Sequence, residues 1–162
     1  AVALKEKKLH RNFQGYCTRE TTGQVYGFGA SSISQLDSAY SQNIKTTSEY
    51  IQSIEKNGLA VLRGYSLSKN EKIIRHIINS VMCNYYVDLE EVSEYFNISV
   101  TEVKEIINFS ESNFDDFISD KLLTIQKNII KVNNRGRLFT RNISMRFDPL
   151  IEKKIGTYSK TI

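Results

Sequence analysis

Cysteine is scarce in this chain, which has only Cys17 and Cys83 among its 162 residues. Two thiols are too few for a disulfide framework or for a metal cage built from cysteine. An iron–sulfur cluster needs at least three closely spaced thiolates, so this chain holds no ligand set for one. We expect both thiols to be free and reduced, as is usual in the cytosol.

Long apolar runs are also missing. No stretch approaches the roughly 18 apolar residues that a membrane helix needs. The first residues, Ala1–Lys8, have too short an apolar stretch for a signal peptide, and charged residues follow it directly. We therefore expect a cytoplasmic protein without a membrane partner. The chain does not begin with methionine, and we expect it to be a segment of a longer protein that starts inside a helix.

Apolar residues make up 40% of the chain, enough for a packed core and too many for wholesale disorder. The net charge of +4 is unevenly spread: residues 1–66 carry +3, residues 67–120 carry −7 and residues 121–162 carry +8. A basic end is typical of a protein that binds nucleic acid or another acidic partner. Pairing of that end with the acidic middle of the same chain is the interpretation we favour.

Residues 9–17 are compatible with one strand, and polar residues follow the glycine-rich segment 26–34 as far as about residue 45. Thr46 and Glu49 have the spacing of a capping box. The helix that follows is expected to end at Gly58, a good C-terminal signal.

From about residue 67 onward the pattern changes to capped helices. Ser68 opens the helix with the clearest apolar periodicity, and Asp88 and Ser99 cap two shorter helices in a helix-turn-helix pattern. Two short apolar runs then predict a hairpin. Helices followed by a hairpin indicate a winged-helix-like domain, so the predicted fold class is α+β, mainly helical. The core of that domain is expected around four residues: Ile74, Ile78, Val103 and Ile107.

The segment 26–34 has the composition of a loop that faces a ligand. Gly27 and Gly29 lack Cβ and can take positive φ, so a bound group could lie directly on the backbone. Ile33 then supplies an apolar surface, and a flat ring such as adenine needs that mixture. Glycine spacing alone favours a simple tight turn, because a lone pair of glycines is a weak signal.

Several short motifs, taken together and in order, make the chain resemble the oxygen-independent coproporphyrinogen III oxidases, which are radical S-adenosylmethionine (SAM) enzymes of haem synthesis. The motifs are His10–Tyr16 (HRNFQGY), Gly27–Ser34 (GFGASSIS), Tyr40–Asn43 (YSQN), Leu62–Gly64, Gly136–Leu138, Arg141–Ile143, Met145–Asp148 and Tyr158–Ile162. Ser32 departs from the family pattern, which usually has alanine there. The resemblance covers nearly the whole chain.

The resemblance implies that residues 1–66 are the last part of the radical SAM catalytic domain with a linker, and that residues 67–162 form the winged-helix-like domain. The parent enzyme would oxidatively decarboxylate two propionates of coproporphyrinogen III to vinyl groups, giving protoporphyrinogen IX. Its cofactors would be SAM and a four-iron four-sulfur cluster held by a CxxxCxxC motif, which this chain does not contain. We therefore expect this segment to be inactive alone and the parent to be a monomer.

The resemblance also implies cofactor-binding residues within this chain. Ile33 would contact SAM, as would Gln14, with Gly27 and Gly29 completing the loop. The lone histidines, His10 and His76, form no catalytic constellation, and we expect His76 on the surface. Clustered arginines could pair with propionates or phosphates, although a solvated face or pairing with the acidic middle is favoured; they are Arg135, Arg137, Arg141 and Arg146.

The alternative function is DNA binding by the winged helix. The candidate recognition helix, 100–109, contains Glu102 and Glu105 against Lys104. A helix that enters the major groove must tolerate the phosphates and read base edges with Arg, Lys, Asn or Gln. The acidic composition therefore disfavours nucleic acid as a partner and favours a packing role for this domain.

Overall fold

The computed structural model describes residues 2–12, 15–18, 24–149 and 151. The chain divides into two compact units, Ala1–Lys72 and Ile73–Ile162, here called the N-terminal unit and the C-terminal unit. This division falls in the first turn of a helix that begins at Lys69.

The N-terminal unit consists of short strands with two helices. In chain order its elements are α1 (Val2–Lys5), β1 (Leu9–Asn12), β2 (Gly15–Thr18), β3 (Ile33–Gln35), β4 (Ala39–Asn43), α2 (Thr47–Asn57) and β5 (Val61–Ser66). Strands β1 and β2 form an antiparallel pair, and a separate antiparallel sheet has the order β3-β4-β5.

The prediction of one strand over residues 9–17 is wrong, because the segment folds back on itself as a hairpin. Asn12 lies opposite Gly15 in the register of β1 and β2. The Asn12 Oδ1 accepts a hydrogen bond from the Gly15 N–H at 3.1 Å, and Gly15 has φ +146. A glycine at this φ and a nearby asparagine favour reversal of the chain over a continuous strand.

Helix α2 shows which of its predicted end signals operate. Thr46 stands at the N-cap but its side chain makes no capping hydrogen bond, so the predicted box with Glu49 is wrong. Gly58 ends the helix as predicted: it has φ 70, and its N–H donates to the Ile54 carbonyl. Only glycine takes that conformation without a steric cost from Cβ.

The C-terminal unit contains most of α3 (Lys69–Asn84), which crosses the division. The elements that follow are β6 (Tyr86–Asp88), α4 (Leu89–Phe96), α5 (Val100–Ile106), a 3₁₀ helix (Glu111–Phe114), α6 (Asp115–Ser119), β7 (Leu123–Gln126), β8 (Ile129–Val132), a second 3₁₀ helix (Arg135–Phe139) and α7 (Thr140–Met145). The antiparallel sheet has the order β6-β8-β7. The unit thus has, in order, a helix, a short strand, two helices, a 3₁₀ helix, a third short helix and a hairpin.

Capping determines where these helices begin. The Ser99 hydroxyl accepts from the Glu102 N–H, and the Glu102 carboxylate accepts from the Ser99 N–H, which completes the predicted capping box. The Asp88 side chain accepts from the Glu90 N–H at 2.8 Å. Since these bonds satisfy N–H groups that have no partner within a helix, they fix both start points.

The core of the C-terminal unit contains residues from its helices and from its sheet. It is formed by sixteen buried residues: Ile73, Ile74, Ile77, Val81, Val87, Leu89, Val92, Val103, Ile107, Phe114, Phe117, Leu123, Ile130, Val132, Ile143 and Phe147. Three of the four predicted core positions are among them, and Ile78 is partly buried against the same cluster. The α+β, mainly helical fold class is therefore confirmed.

Candidate functional site

The glycine-rich loop before β3 is held by one asparagine. The Asn43 Nδ2 lies 3.1 Å from the Gly29 carbonyl, 3.4 Å from the Gly27 carbonyl and 3.0 Å from the Ser32 Oγ. The Ser32 hydroxyl also donates to the Gly29 carbonyl at 2.7 Å. Asn43 is the last residue of β4. Its side chain therefore connects the loop, which leads into β3, to the neighbouring strand β4.

Gly27 is required by close backbone approach. A Cβ at this position would lie 2.7 Å from the Ile33 carbonyl oxygen, a distance that a real Cβ does not adopt. The Gly27 N–H donates to the Ser34 Oγ at 3.0 Å. Since side chains alternate along a strand, Ser34 faces away from the side chain of Ile33. Gly27 thus contacts β3 through the Ser34 side chain on one face of the sheet, and the Ile33 side chain projects from the opposite face.

Gly29 has φ +95 and open space where a Cβ would stand. Its N–H donates to the Tyr50 hydroxyl of α2 at 3.2 Å. The neighbouring Ser31 N–H donates to the Ile44 carbonyl. By contrast, the N–H groups of Phe28 and Ala30 have no acceptor in the part of the chain that the structure describes. These two N–H groups are candidates for hydrogen bonds to a ligand.

Ile33 belongs to a row of side chains on one face of the sheet. Ile33 is the register partner of Gln42, and Gln42 is the partner of Arg63 on β5. Directly opposite residues of antiparallel strands project to the same face. The Ile33 side chain is 37% exposed, so this face presents an apolar residue, an amide and a guanidinium side by side.

The next row of that face is Gln35, Tyr40 and Tyr65. The Tyr65 hydroxyl donates a short hydrogen bond to the Glu71 carboxylate. This bond raises the pKa of Tyr65 above its usual value. It also lowers the pKa of Glu71, and the backbone and side chain of Ser68 lower it further by donating to the same carboxylate.

Three of the four predicted cofactor-binding residues lie in or next to the glycine-rich loop. Gly27 and Gly29 shape the loop, and Ile33 begins β3 with an exposed side chain. Gln14 lies outside the described residues. Gln42 and Asn43 occur in one of the motifs that carry the resemblance, but nothing in the sequence assigned them contacts with the loop.

Three of the remaining candidates have structural partners. His76 is half-buried, and its ring lies 5.1 Å from that of Tyr95, which is 73% exposed, and 5.5 Å from that of Phe96. Arg137 lies over the Tyr85 ring at 4.6 Å. Arg146 pairs with Asp116 at 2.9 Å, which links the basic end to the acidic middle.

Among the described residues, no three His, Cys, Asp or Glu side chains are grouped to hold a metal ion. Of the helices within the same ranges, none has the length and hydropathy needed to span a bilayer.

Comparison with known proteins gives one consistent result. No protein-family model matches the chain. It is 35% identical to the oxygen-independent coproporphyrinogen III oxidase of Salmonella typhimurium over 95% of this chain and 33% of that protein. The enzyme of the same name from Escherichia coli is 34% identical over the same shares, and that from Bradyrhizobium diazoefficiens is 32% identical over 100% of this chain and 35% of that protein.

A solved structure agrees with the sequence matches. The structure of coproporphyrinogen III oxidase from Escherichia coli, described as a radical SAM enzyme, superposes with a TM-score of 0.81 at 33% identity. The superposition covers 92% of this chain and 33% of that chain. The chain spans about a third of the length of the curated relatives that it matches. By motif, identity and fold, the chain is similar to the C-terminal part of these oxygen-independent coproporphyrinogen III oxidases.

Proposed function

We propose that this chain is the C-terminal part of an enzyme that oxidatively decarboxylates two propionates of coproporphyrinogen III to vinyl groups. The observation that carries the proposal is the match over 95% of this chain to enzymes named for that substrate. The chemistry that SAM supplies when bound with its four-iron four-sulfur cluster is radical hydrogen abstraction. In this proposal the parent acts as a cytoplasmic monomer in haem synthesis.

The residues described here do not fit the iron–sulfur cluster. Cys17 lies on β2 and Cys83 is buried in α3, and three closely spaced thiolates are needed. The cluster ligands of the parent must therefore lie in sequence outside this chain. Anaerobic reconstitution with iron and sulfide should give no cluster absorption on this segment and a cluster on the full-length parent.

The open face around Ile33 fits part of SAM. Ile33 supplies an exposed branched surface for the flat face of adenine, and the loop that leads to it contains the N–H groups of Phe28 and Ala30, which have no acceptor among the described residues. A binding site for a cofactor of this size needs that combination of apolar contact and convergent polar groups. Gly27 and Gly29 allow the loop to take this shape, and Gln14 is proposed as a further contact.

The N-terminal unit leaves many large hydrophobic side chains exposed. They are Val2, Tyr16, Tyr26, Phe28, Ile33, Ile51, Ile54, Leu59, Val61, Leu62 and Tyr65. Where exposed side chains of this kind form a contiguous patch, the patch usually marks an interaction surface. We expect the rest of the parent to cover part of this surface and the C-terminal unit to help exclude water from the substrate cleft.

The test is Ile33→Asp in the full-length parent, with SAM affinity and thermal melting as readouts. A carboxylate against the adenine face should weaken SAM binding by about 1–3 kcal/mol, the scale of an uncompensated polar burial. Ile51→Asp on α2, another exposed isoleucine (50%), is the matched control. Unchanged affinity would remove Ile33 from the site, and a collapsed melting temperature would make it a core residue.

A further inference from the structure

Arg63 ends the row that begins with Ile33, and its guanidinium is held in place by a neutral side chain. The Gln42 Oε1 accepts from the Arg63 Nε–H at 3.0 Å and from Nη2–H at 2.6 Å. Arginine has five N–H donors in a planar fork. This contact uses two of them, so three remain on the edge that faces away from Gln42.

Gln42 is itself fixed from the loop side. Its Nε2 donates to the Ser31 carbonyl at 3.3 Å. The amide therefore spans from the glycine-rich loop to β5, and its two hydrogen-bonding ends have different partners. A guanidinium held in this way loses less side-chain entropy on binding a ligand than a freely rotating one.

The positive charge of Arg63 is not neutralised within the described residues. The structure gives this exposed side chain no ion pair there. The carboxylate of Glu71, in the first turn of α3, accepts hydrogen bonds from Tyr65 of the neighbouring row and from the N–H and hydroxyl of Ser68. Because Gln42 is an amide, it orients the guanidinium without cancelling its charge.

We propose that Arg63, positioned by Gln42, binds a carboxylate of a ligand whose flat ring lies on Ile33. Arg63 is two strands from Ile33, which at the usual strand spacing is on the order of 10 Å. A bidentate guanidinium–carboxylate contact is among the strongest hydrogen-bonded pairs in proteins. The identity of the ligand rests on the proposed function, which supplies two sources of a carboxylate. One is the methionyl group of SAM, and the other is a propionate of the substrate.

The experiment uses Arg63→Gln and Arg63→Lys in the full-length parent. The readouts are the dissociation constants of SAM and of 5′-methylthioadenosine, which has the adenosine but no carboxylate, and the KM for coproporphyrinogen III. Lys131→Gln is the control, because it removes an exposed positive charge of the C-terminal unit at a position outside the candidate ligand-binding residues. Melting temperature shows whether each variant is folded.

If Arg63 binds SAM, Arg63→Gln should weaken SAM about tenfold or more, the range of a hydrogen bond to a charged group, and leave 5′-methylthioadenosine unchanged. If it binds a propionate, the KM should rise by a similar factor with SAM affinity unchanged. Arg63→Lys should retain part of the affinity because it keeps the charge but not the fork.

Three outcomes would overturn the assignment. The first is that no affinity changes more than about twofold in a folded Arg63→Gln variant. The second is that 5′-methylthioadenosine weakens as much as SAM, which would give Arg63 only a role in shaping the sheet. The third is that Lys131→Gln has the same effect. A wild-type parent that binds neither SAM nor coproporphyrinogen III would instead overturn the proposed function itself.

Discussion

The two units of this chain are stabilised in different ways. The C-terminal unit surrounds a cluster of sixteen buried apolar residues, whereas Ala60 is the one buried hydrophobic side chain among the described residues of the N-terminal unit. Helix α2 buries none of its residues, and every residue of β5 is exposed. The N-terminal unit is instead connected by polar contacts, with Asn43 and Gln42 at their centre. A unit of this kind is well suited to presenting a binding face and poorly suited to independent stability.

The sharpest test of this contrast compares two phenylalanines. Phe114 is 1% exposed in the C-terminal core and Phe28 is 89% exposed in the glycine-rich loop. Phe114→Ala should destabilise the C-terminal unit by about 3–5 kcal/mol through lost burial and a cavity. Phe28→Ala should change stability by less than about 0.5 kcal/mol. Denaturant unfolding measures both, and equal effects would mean that the two units do not differ as described.

Two glycines extend the comparison to backbone packing. A Cβ on Gly136 would collide with the Leu122 carbonyl oxygen and lie 2.9 Å from Val132. Gly136→Ala should therefore cost about 1–3 kcal/mol by overpacking the C-terminal core. A Cβ on Gly27 would also collide with backbone, that of Ile33, but in a loop and not in the core. We expect Gly27→Ala to lower SAM affinity in the parent with a smaller change in melting temperature. A Gly136→Ala variant that melts like the wild type would contradict the packing shown here.

A smaller and pH-dependent effect is expected at Glu71. Its pKa is lowered below the ordinary 4.5, first by the Tyr65 hydrogen bond and then by Ser68. Since the folded pKa is below the unfolded one, ionised Glu71 stabilises the fold above about pH 4.5, and this contribution is lost as pH falls through the folded pKa.

The measurement is the difference in melting temperature between the wild type and Glu71→Gln over a series of pH values. That difference should favour the wild type at neutral pH and shrink on acidification. Glu55→Gln, which removes an exposed carboxylate of α2, is the control. A difference that grows as pH falls would show that the sign is wrong.

The smallest expected effect is on duplex DNA. In α5, Glu102 and Glu105 are exposed, while the Lys104 ammonium lies 5.8 Å from the centre of the Phe109 ring. This surface repels phosphates, so titration at physiological salt should show only weak, generic binding. A sequence-specific dissociation constant below about 10⁻⁸ M would favour the alternative function, DNA binding by the C-terminal unit.

The sequence predicted the C-terminal unit better than the N-terminal one. Apolar periodicity and caps such as Ser99 are local signals, and they placed its helices and hairpin. Strand β6 was missed because its three residues are too few for a periodic pattern. Strands β3 and β4 were missed because their Ile-Ser-Gln and Ala-Tyr-Ser-Gln-Asn sequences lack apolar alternation. They are strands because they pair with each other and with β5.

The sequence by itself determined the family likeness, the core of the C-terminal unit and the candidate loop, because motifs and apolar spacing are properties of neighbouring residues. Only the tertiary structure decided that Ile33, Gln42 and Arg63 form one row. That row depends on the register of three strands, and a slip of one residue would turn each side chain to the other face. The tertiary structure also shows that Gly27 and Ile33 differ in role. Gly27 packs against the backbone of β3 and donates to Ser34, whereas the exposed Ile33 side chain lies on the opposite face of the sheet.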